Sequence, residues 1–177
     1  MWTDDLSLWE DTAKKSPNKS RVFNNLGYWG YYKTNKTDKA YEAYIRAIRL
    51  NPKNANAYNN LGMIYTDKGL IDEAIEYYKV AVQLNPRLRF ALYNLGLSYE
   101  TKGIDYKAIE YYKNFIDLDP ESSVGHLRLG IMYLKVGNIE KAYNEFSTVL
   151  NIDPNDFEAK RFIHYISRIN ARKNNIK

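Results

Sequence analysis

The stretch Ala57–Tyr65, AYNNLGMIY, sets two asparagines, which are mediocre helix formers, directly ahead of a Leu-Gly pair in a segment that otherwise reads as a helix. The pattern returns: FNNLGYWG spans 23–30 and LYNLGLSY spans 92–99. Working outward from it, Pro52, Pro86, Pro120 and Pro154 stand 34 residues apart. Leu61-Gly62, Leu95-Gly96 and Leu129-Gly130 keep that interval, as do Tyr65, Tyr99 and Tyr133, then Ala74, Ala108 and Ala142, and the aromatics Tyr78, Tyr112 and Phe146. Self-similarity at a period of this length is the mark of a stacked repeat.

Each recurring position has a physical reason to recur. Gly62 and Ala74 are small, so two helices of one unit approach closely, while Leu61, Tyr65 and Tyr78 fill the volume between that pair and its neighbours. Gly69, Gly103 and Gly137 stand five residues before the recurring alanine, where the chain must leave the first helix through a left-handed residue, and Asn35 takes that place in the first unit. Asp38 and Asp72 are expected as caps or first-turn acids of the second helices. The prolines stop each second helix and redirect the chain.

These positions match the tetratricopeptide pattern, in which Trp-x2-Leu-Gly-x2-Tyr is followed by Ala-x3-Phe and then Pro over a helix-turn-helix unit. The chain resembles that family over nearly its full length, which implies an all-α fold, a right-handed α-solenoid of antiparallel helix pairs. The expected organisation is an orphan second helix of a preceding half repeat at 1–19 and repeats at 20–54, 55–88, 89–122 and 123–156. A capping helix and basic tail follow at 157–177. The first repeat carries one extra residue: Gly27 to Ala40 is one longer than Gly62 to Ala74. A π-bulge or a longer loop is therefore expected near Gly30 to Thr37. Pro17 precedes Leu26 by the nine residues that separate Pro52 from Leu61, so Trp9 falls at the aromatic position of a second helix. That helix would leave Leu6, Leu8 and Trp9 without their usual partner, and the expectation is a fragment of a longer protein. Phe157, Ile163, Ile166 and Ile169 are expected to form the apolar stripe of the last helix.

Composition excludes several functions. There are no cysteines, hence no disulfide, no thiolate nucleophile and no Cys-ligated metal. No apolar run approaches a membrane span, and the acidic start MWTDDLSLWED is unlike a signal peptide. The formal charge of +5 sits wholly in the last 21 residues, where Lys160, Arg161, Arg168, Arg172, Lys173 and Lys177 face only Glu158. A basic terminal tail of this kind reads as solvated charge, which argues against nucleic acid as a partner. His126 and His164 are the only histidines and lie in different repeats. His126 occupies a bulky aromatic position and reads as packing. No phosphate loop, zinc motif or catalytic triad order is present, so neither an enzyme nor a cofactor is expected.

The family resemblance implies that the first helices line a concave groove, where the residue before Leu-Gly forms a ladder: Asn25, Asn60 and Asn94, then Arg128. In the tetratricopeptide arrays of O-linked N-acetylglucosamine transferases, which this sequence resembles there, such asparagines hold the backbone of an extended polypeptide. A carboxamide both donates and accepts, as a peptide group does, and reads no side chain. The alternative is that these amides only meet solvent or a neighbouring helix. Three amides making up to six bonds at roughly 0.5–1.5 kcal/mol each barely offset an association cost of roughly 4–15 kcal/mol. The apolar and aromatic groove neighbours Tyr28, Met63, Tyr93, Leu97 and Ile131 must therefore add burial, with Asn59 also expected among the groove residues. Arg128 either meets a ligand carboxylate or phosphate or pairs with an acid of its own chain. The chaperone-tail clamp of other tetratricopeptide domains lacks its basic cluster here, since Asn24, Asn59, Tyr93 and Leu127 hold those places.

The expected function is a scaffold that binds an extended peptide or helix of a partner protein. Two other readings stand beside it. One is the substrate-positioning region of a larger, membrane-anchored, glycosyltransferase-like protein, to which SLWEDTAKKSPNKSRVFNNLG is similar. The other is self-association as a homodimer through a solenoid end. The sequence leaves the compartment open.

Overall fold

The computed structural model describes residues 5–174. Residues 1–4 of the acidic start and 175–177 of the basic tail, Lys177 among them, lie outside the described residues, as do the side chains of Arg172 and Lys173. Among the described residues the fold is all-α, a succession of paired helices of the solenoid class. In chain order these are α1 (Asp5–Lys15), α2 (Ser20–Asn25), α3 (Thr37–Leu50), α4 (Ala55–Asp67), α5 (Ile71–Leu84) and α6 (Arg89–Thr101). Then follow α7 (Asp105–Leu118), α8 (Ser123–Lys135), α9 (Ile139–Ile152) and α10 (Phe157–Asn174). None of the described helices is long and apolar enough to cross a membrane.

The period is built from three local devices. Asn35, Gly69, Gly103 and Gly137 all adopt positive φ, between 57° and 79°, and so end the first helix of each pair. The residues ahead of the four prolines, Asn51, Asn85, Asp119 and Asp153, all leave the helical region, with φ between −129° and −146°. Between the paired helices, an aromatic ring occupies the space that a side chain would need. A Cβ at Gly27, Gly62, Gly96 or Gly130 would stand 2.5–2.6 Å from the rings of Tyr44, Tyr78, Tyr112 and Phe146 respectively. Asp38 and Asp72 sit in the first turns of α3 and α5 and not at the caps, which Lys36 and Leu70 occupy without a side-chain bond.

The chain divides into two compact units, Met1–Asn94 and Leu95–Lys177. In the first, the extra residue is absorbed inside the helix. After α2 the chain winds as a π-helical turn over Leu26–Tyr31 and a 3-10 turn over Tyr32–Thr34. The Tyr32 N–H reaches the Gly27 carbonyl, five residues back. The bulge begins four residues earlier than the expected Gly30–Thr37 window, because the turn at Asn35 keeps its left-handed geometry and cannot take up the slack.

The first helix is not left unpartnered, which corrects the expectation for two of its three apolar residues. Leu6 and Trp9 pack on the cluster of Ala13, Phe23, Leu26, Ala47 and Ala57, and only Leu8 stays outside, 57% exposed. Gly30 admits this contact: a Cβ there would meet Leu6 at 3.2 Å. Tyr31 Oη donates to Glu10 at 2.9 Å across the same seam. Burial and then that carboxylate push the Tyr31 phenol up to about 12.

In the second unit, Phe146 stacks on Phe162 of α10 at 4.8 Å, and Ala159 and Ile166 on the same helix are buried. Ile163 and Ile169 are half-buried, but Phe157 is 74% exposed. The expected stripe was out of phase at its start: Phe157 is two residues from Ala159, about 200° around the helix, and so faces the opposite side.

Candidate functional site

A cleft of about 1150 Å³ opens in the first unit between α2, α4 and the start of α6. Nine of its nineteen lining residues are asparagines: 24, 25, 51, 54, 56, 59, 60, 85 and 94. Two cations, Arg21 and Lys53, also line it, and no carboxylate does. The remaining lining includes four aromatics, Tyr28, Trp29, Phe90 and Tyr93. Trp29 is 48% exposed and Phe90 59%, large apolar areas to leave in water beside so many hydrogen-bonding groups.

The asparagines are held by one another. Asn94 Nδ2 donates to Asn59 Oδ1 at 3.1 Å, and Asn59 Nδ2 donates to Asn60 Oδ1 at 3.3 Å. Asn60 Nδ2 donates to Asn24 Oδ1 at 3.0 Å, and Asn24 Nδ2 to Asn25 Oδ1 at 3.4 Å. The two bonds between helices are the short ones, and the two between sequence neighbours are long and weak. Asn24, Asn59 and Asn60 are under 10% exposed, so these bonds satisfy groups that water reaches poorly. Asn59 Nδ2 also approaches Met63 Sδ at 3.8 Å. At the other rim, Asn54 Nδ2 donates to Ser20 Oγ at 2.7 Å, and Ser20 Oγ to the Ala47 carbonyl at 2.7 Å. Asn54 also caps α4, accepting from the Ala57 N–H at 3.2 Å.

Of the residues the sequence singles out, Asn25, Tyr28, Asn59, Asn60, Met63, Tyr93 and Asn94 come together in this cleft. The rim residues Arg21 and Phe90 escaped the sequence reading although a signal existed. Arg21 and Phe90 precede Asn25 and Asn94 by four residues, one helical turn, as Asn56 precedes Asn60. Trp29 also stands four residues after Asn25, but its counterparts in the next two repeats, Ile64 and Ser98, are buried, and Trp29 lies in the π turn that only the first repeat carries.

Leu97, Arg128 and Ile131 fall in the second unit and are half-buried there. Arg128 takes the intramolecular alternative: its Nη1 donates to Glu100 Oε1 at 3.4 Å, while Tyr112 Oη donates to Glu100 Oε2 at 2.5 Å. His126 is a bridge and not only a space-filler. Its Nδ1 lies 2.7 Å from Glu145 Oε2 and its Nε2 3.0 Å from the Pro120 carbonyl. The bond to Glu145 raises its pKa above the ordinary 6.5, outweighing the opposing effect of burial. Among the described residues no group of three or more His, Asp or Glu is placed to hold a metal ion.

A TPR-repeat family model matches residues 31–69, and tetratricopeptide-repeat models match residues 55–88, 90–122 and 125–156. Among solved structures, a crystal structure of MamA is 26% identical with a TM-score of 0.73, the match covering 84% of this chain and 86% of that one. A second crystal structure of MamA protein gives 26% identity and a TM-score of 0.70, with 84% and 81% covered. No relative among curated proteins matches.

Proposed function

Since the chain belongs to the tetratricopeptide repeat family, we propose that the asparagine-rich cleft of its first unit holds an extended segment of a partner protein, so that the chain acts as an interaction scaffold. The family is one of interaction modules, and the likeness to MamA over most of both chains supports the same class. The observation that carries the reading is the cleft's chemistry. The cleft is lined by nine carboxamides, several of them bonded to one another, and a carboxamide both donates and accepts as a peptide group does, while the exposed rings of Trp29 and Phe90 supply the apolar burial that hydrogen bonds alone do not.

Self-association by completing a repeat has less support. The 34-residue register puts His164 where Gly27, Gly62, Gly96 and Gly130 receive a ring from the next helix. A second-helix aromatic from another copy, such as Trp9, would there meet a full imidazole and not an open backbone.

The test is selection of random peptides against the chain by display, followed by fluorescence anisotropy on a selected sequence. Phe90→Ala and Asn25→Ala lie outside the apolar clusters and are expected to weaken binding by about tenfold and about threefold respectively. Affinity unchanged in both, with helicity unchanged, would remove the cleft from recognition.

A further inference from the structure

The four carboxamide bonds of the cleft run in one sense. Asn94 donates to Asn59, Asn59 to Asn60, Asn60 to Asn24 and Asn24 to Asn25. A side-chain amide is nearly symmetric in shape, and left to itself it turns over to suit whatever approaches. Here it cannot. Turning Asn59 would put its N–H₂ against the N–H of Asn94 and its oxygen against the oxygen of Asn60, and turning Asn24 would do the same between Asn60 and Asn25. Asn24, Asn59 and Asn60 each accept one bond and donate one, and all three are buried, so none of them turns over alone, and the contact of Asn59 Nδ2 with Met63 Sδ at 3.8 Å opposes turning all five together.

A fixed orientation matters to an extended chain. Along one edge of a strand the N–H and C=O of every second residue follow one another, and reversing the chain reverses their order. A row of amides with oxygen and N–H in fixed places therefore matches one direction better than the other. The two ends of the row also differ. At the first-repeat end Asn25 has its oxygen engaged by Asn24, and Arg21 stands one turn before it on the same helix, with Lys53 in the same cleft. Neither cation pairs with a carboxylate among the described residues, and no acid lines the cleft. At the third-repeat end stand the exposed Phe90 ring and Tyr93, with the Arg89 guanidinium over Phe90 at 5.2 Å.

We infer that Asn24, Asn59 and Asn60 are positioning residues that polarise the carboxamide row, so that the cleft takes an extended peptide in a single chain direction, its acidic part beside Arg21 and Lys53 and its apolar part on Phe90. This rests on the peptide-binding reading above and adds to it the direction and the chemistry of the ligand.

The experiment uses the full chain and two synthetic peptides, acetylated and amidated so that no terminal charge contributes. One reads Asp-Glu-Asp-Gly-Phe-Gly-Phe and the other is the same composition in reversed order, each with a nitroxide label beside the acidic end. Binding is followed by fluorescence anisotropy, and broadening of side-chain and backbone resonances by NMR. The expected result is that one order binds at least about fivefold more tightly, that its label broadens Arg21 and Asn25 and spares Phe90, and that Arg21→Gln weakens it by about fivefold. Asn59→Leu, which keeps the branching at Cγ but can neither donate nor accept, should reduce the preference between the two orders to near unity even where overall affinity survives, an effect that mere loss of stability would not produce. In the ligand-free chain, the side-chain amides of Asn24, Asn59 and Asn60 should exchange with solvent more slowly than that of Asn25.

Equal binding of both orders, broadening centred on Phe90, or uniform fast amide exchange would each overturn the inference while leaving a peptide cleft intact. If display selection yields no peptide that the cleft variants weaken, the peptide-binding reading itself fails and the inference with it.

Discussion

The first and second repeats open alike, Asn24-Asn25-Leu26-Gly27 and Asn59-Asn60-Leu61-Gly62, and part company four residues later. In the second repeat the helix runs on undisturbed, and Thr66, one turn after Gly62, bonds to the Tyr78 hydroxyl at 3.0 Å. In the first, the π turn brings Tyr31 to that place, and its own hydroxyl is committed to Glu10. Tyr44, the counterpart of Tyr78, is then fully buried with a hydroxyl that has no partner. Burial drives its pKa up, as expected of a phenol with nothing to solvate its anion. The insertion falls after the asparagine pair, so the part of the helix that faces the cleft keeps its register with the second repeat, as the 3.0 Å bond from Asn60 to Asn24 records. The cost is displaced onto a phenol in the core. An insertion is tolerated where it disturbs packing and spares the binding face.

The strongest way to break this comparison is at the glycines that both repeats share. Gly62→Ala places a methyl 2.5 Å from the Tyr78 ring, and Gly27→Ala does the same against Tyr44. The rings are enclosed and cannot retreat cheaply, so the clash should outweigh the roughly 1 kcal/mol that alanine gains in helix propensity. A net loss of about 1–3 kcal/mol is expected at each site, read as the shift in urea midpoint. Both repeats should suffer alike. If Gly27→Ala were nearly neutral while Gly62→Ala was costly, the bulge would have loosened the ring-to-backbone lock, and the claim that its cost is confined to one hydroxyl would fall.

A smaller change should separate the repeats by sign. Tyr78→Phe removes the bond to Thr66 and should cost about 0.5–1.5 kcal/mol. Tyr44→Phe removes a hydroxyl that bonds to nothing and should be neutral or stabilising by up to about 1 kcal/mol. The fourth repeat already carries Phe146 at this position, fully buried, so the site accepts the shape. Equal losses at Tyr44 and Tyr78 would mean that the Tyr44 hydroxyl is satisfied in solution.

These contrasts also mark what the sequence could say. The 34-residue ruler predicted the helix pairs, the left-handed turns at Asn35, Gly69, Gly103 and Gly137, and a close helix approach at Gly62, because each depends on residue types at fixed spacing; that the rings of Tyr44, Tyr78, Tyr112 and Phe146 lie on the glycines is what the structure adds. It registered the extra residue by count and allowed for a π turn, but set its start four residues too late, since a helix and its turn compete to absorb an insertion and only the geometry at Asn35 decides. Seven of the ten candidate groove residues line one cleft, yet the sequence left open whether their amides meet a ligand, solvent or a neighbouring helix, and the bonds of Asn60 to Asn24 and of Asn94 to Asn59 take the last of these. A carboxamide offers the same groups to solvent, ligand or another amide, and composition does not choose among them. For Phe157 the period was right and the phase wrong, because a single residue at a helix end has no neighbour on one side to fix its face.

The smallest expected effect sharpens the comparison at another shared position, where Phe23 of the first repeat corresponds to His126 of the fourth. Phe23 is buried with the Arg46 guanidinium 4.0 Å above its ring, and nothing there titrates near neutrality. His126 instead sets both ring nitrogens against acceptors, the Glu145 carboxylate and the Pro120 carbonyl, so only the imidazolium can donate to both at once. Its pKa in the folded chain is raised above 6.5, chiefly by the Glu145 bond. The folded state therefore holds the proton more tightly than the unfolded one. The stabilisation is fully present below about pH 6.5, the unfolded value, and is lost as pH rises through the folded value. His126→Phe copies the first repeat into the fourth and should flatten that slope. The difference in melting midpoint between parent and variant should be largest near pH 6 and shrink by about pH 8, through a span of less than about 1 kcal/mol because both partners keep some contact with water. The imidazole Cε1 proton of His126 should titrate above 6.5 in the same range; a titration at or below 6.5, or a pH-independent difference in midpoint, would reduce the bridge to neutral packing of the kind Phe23 provides.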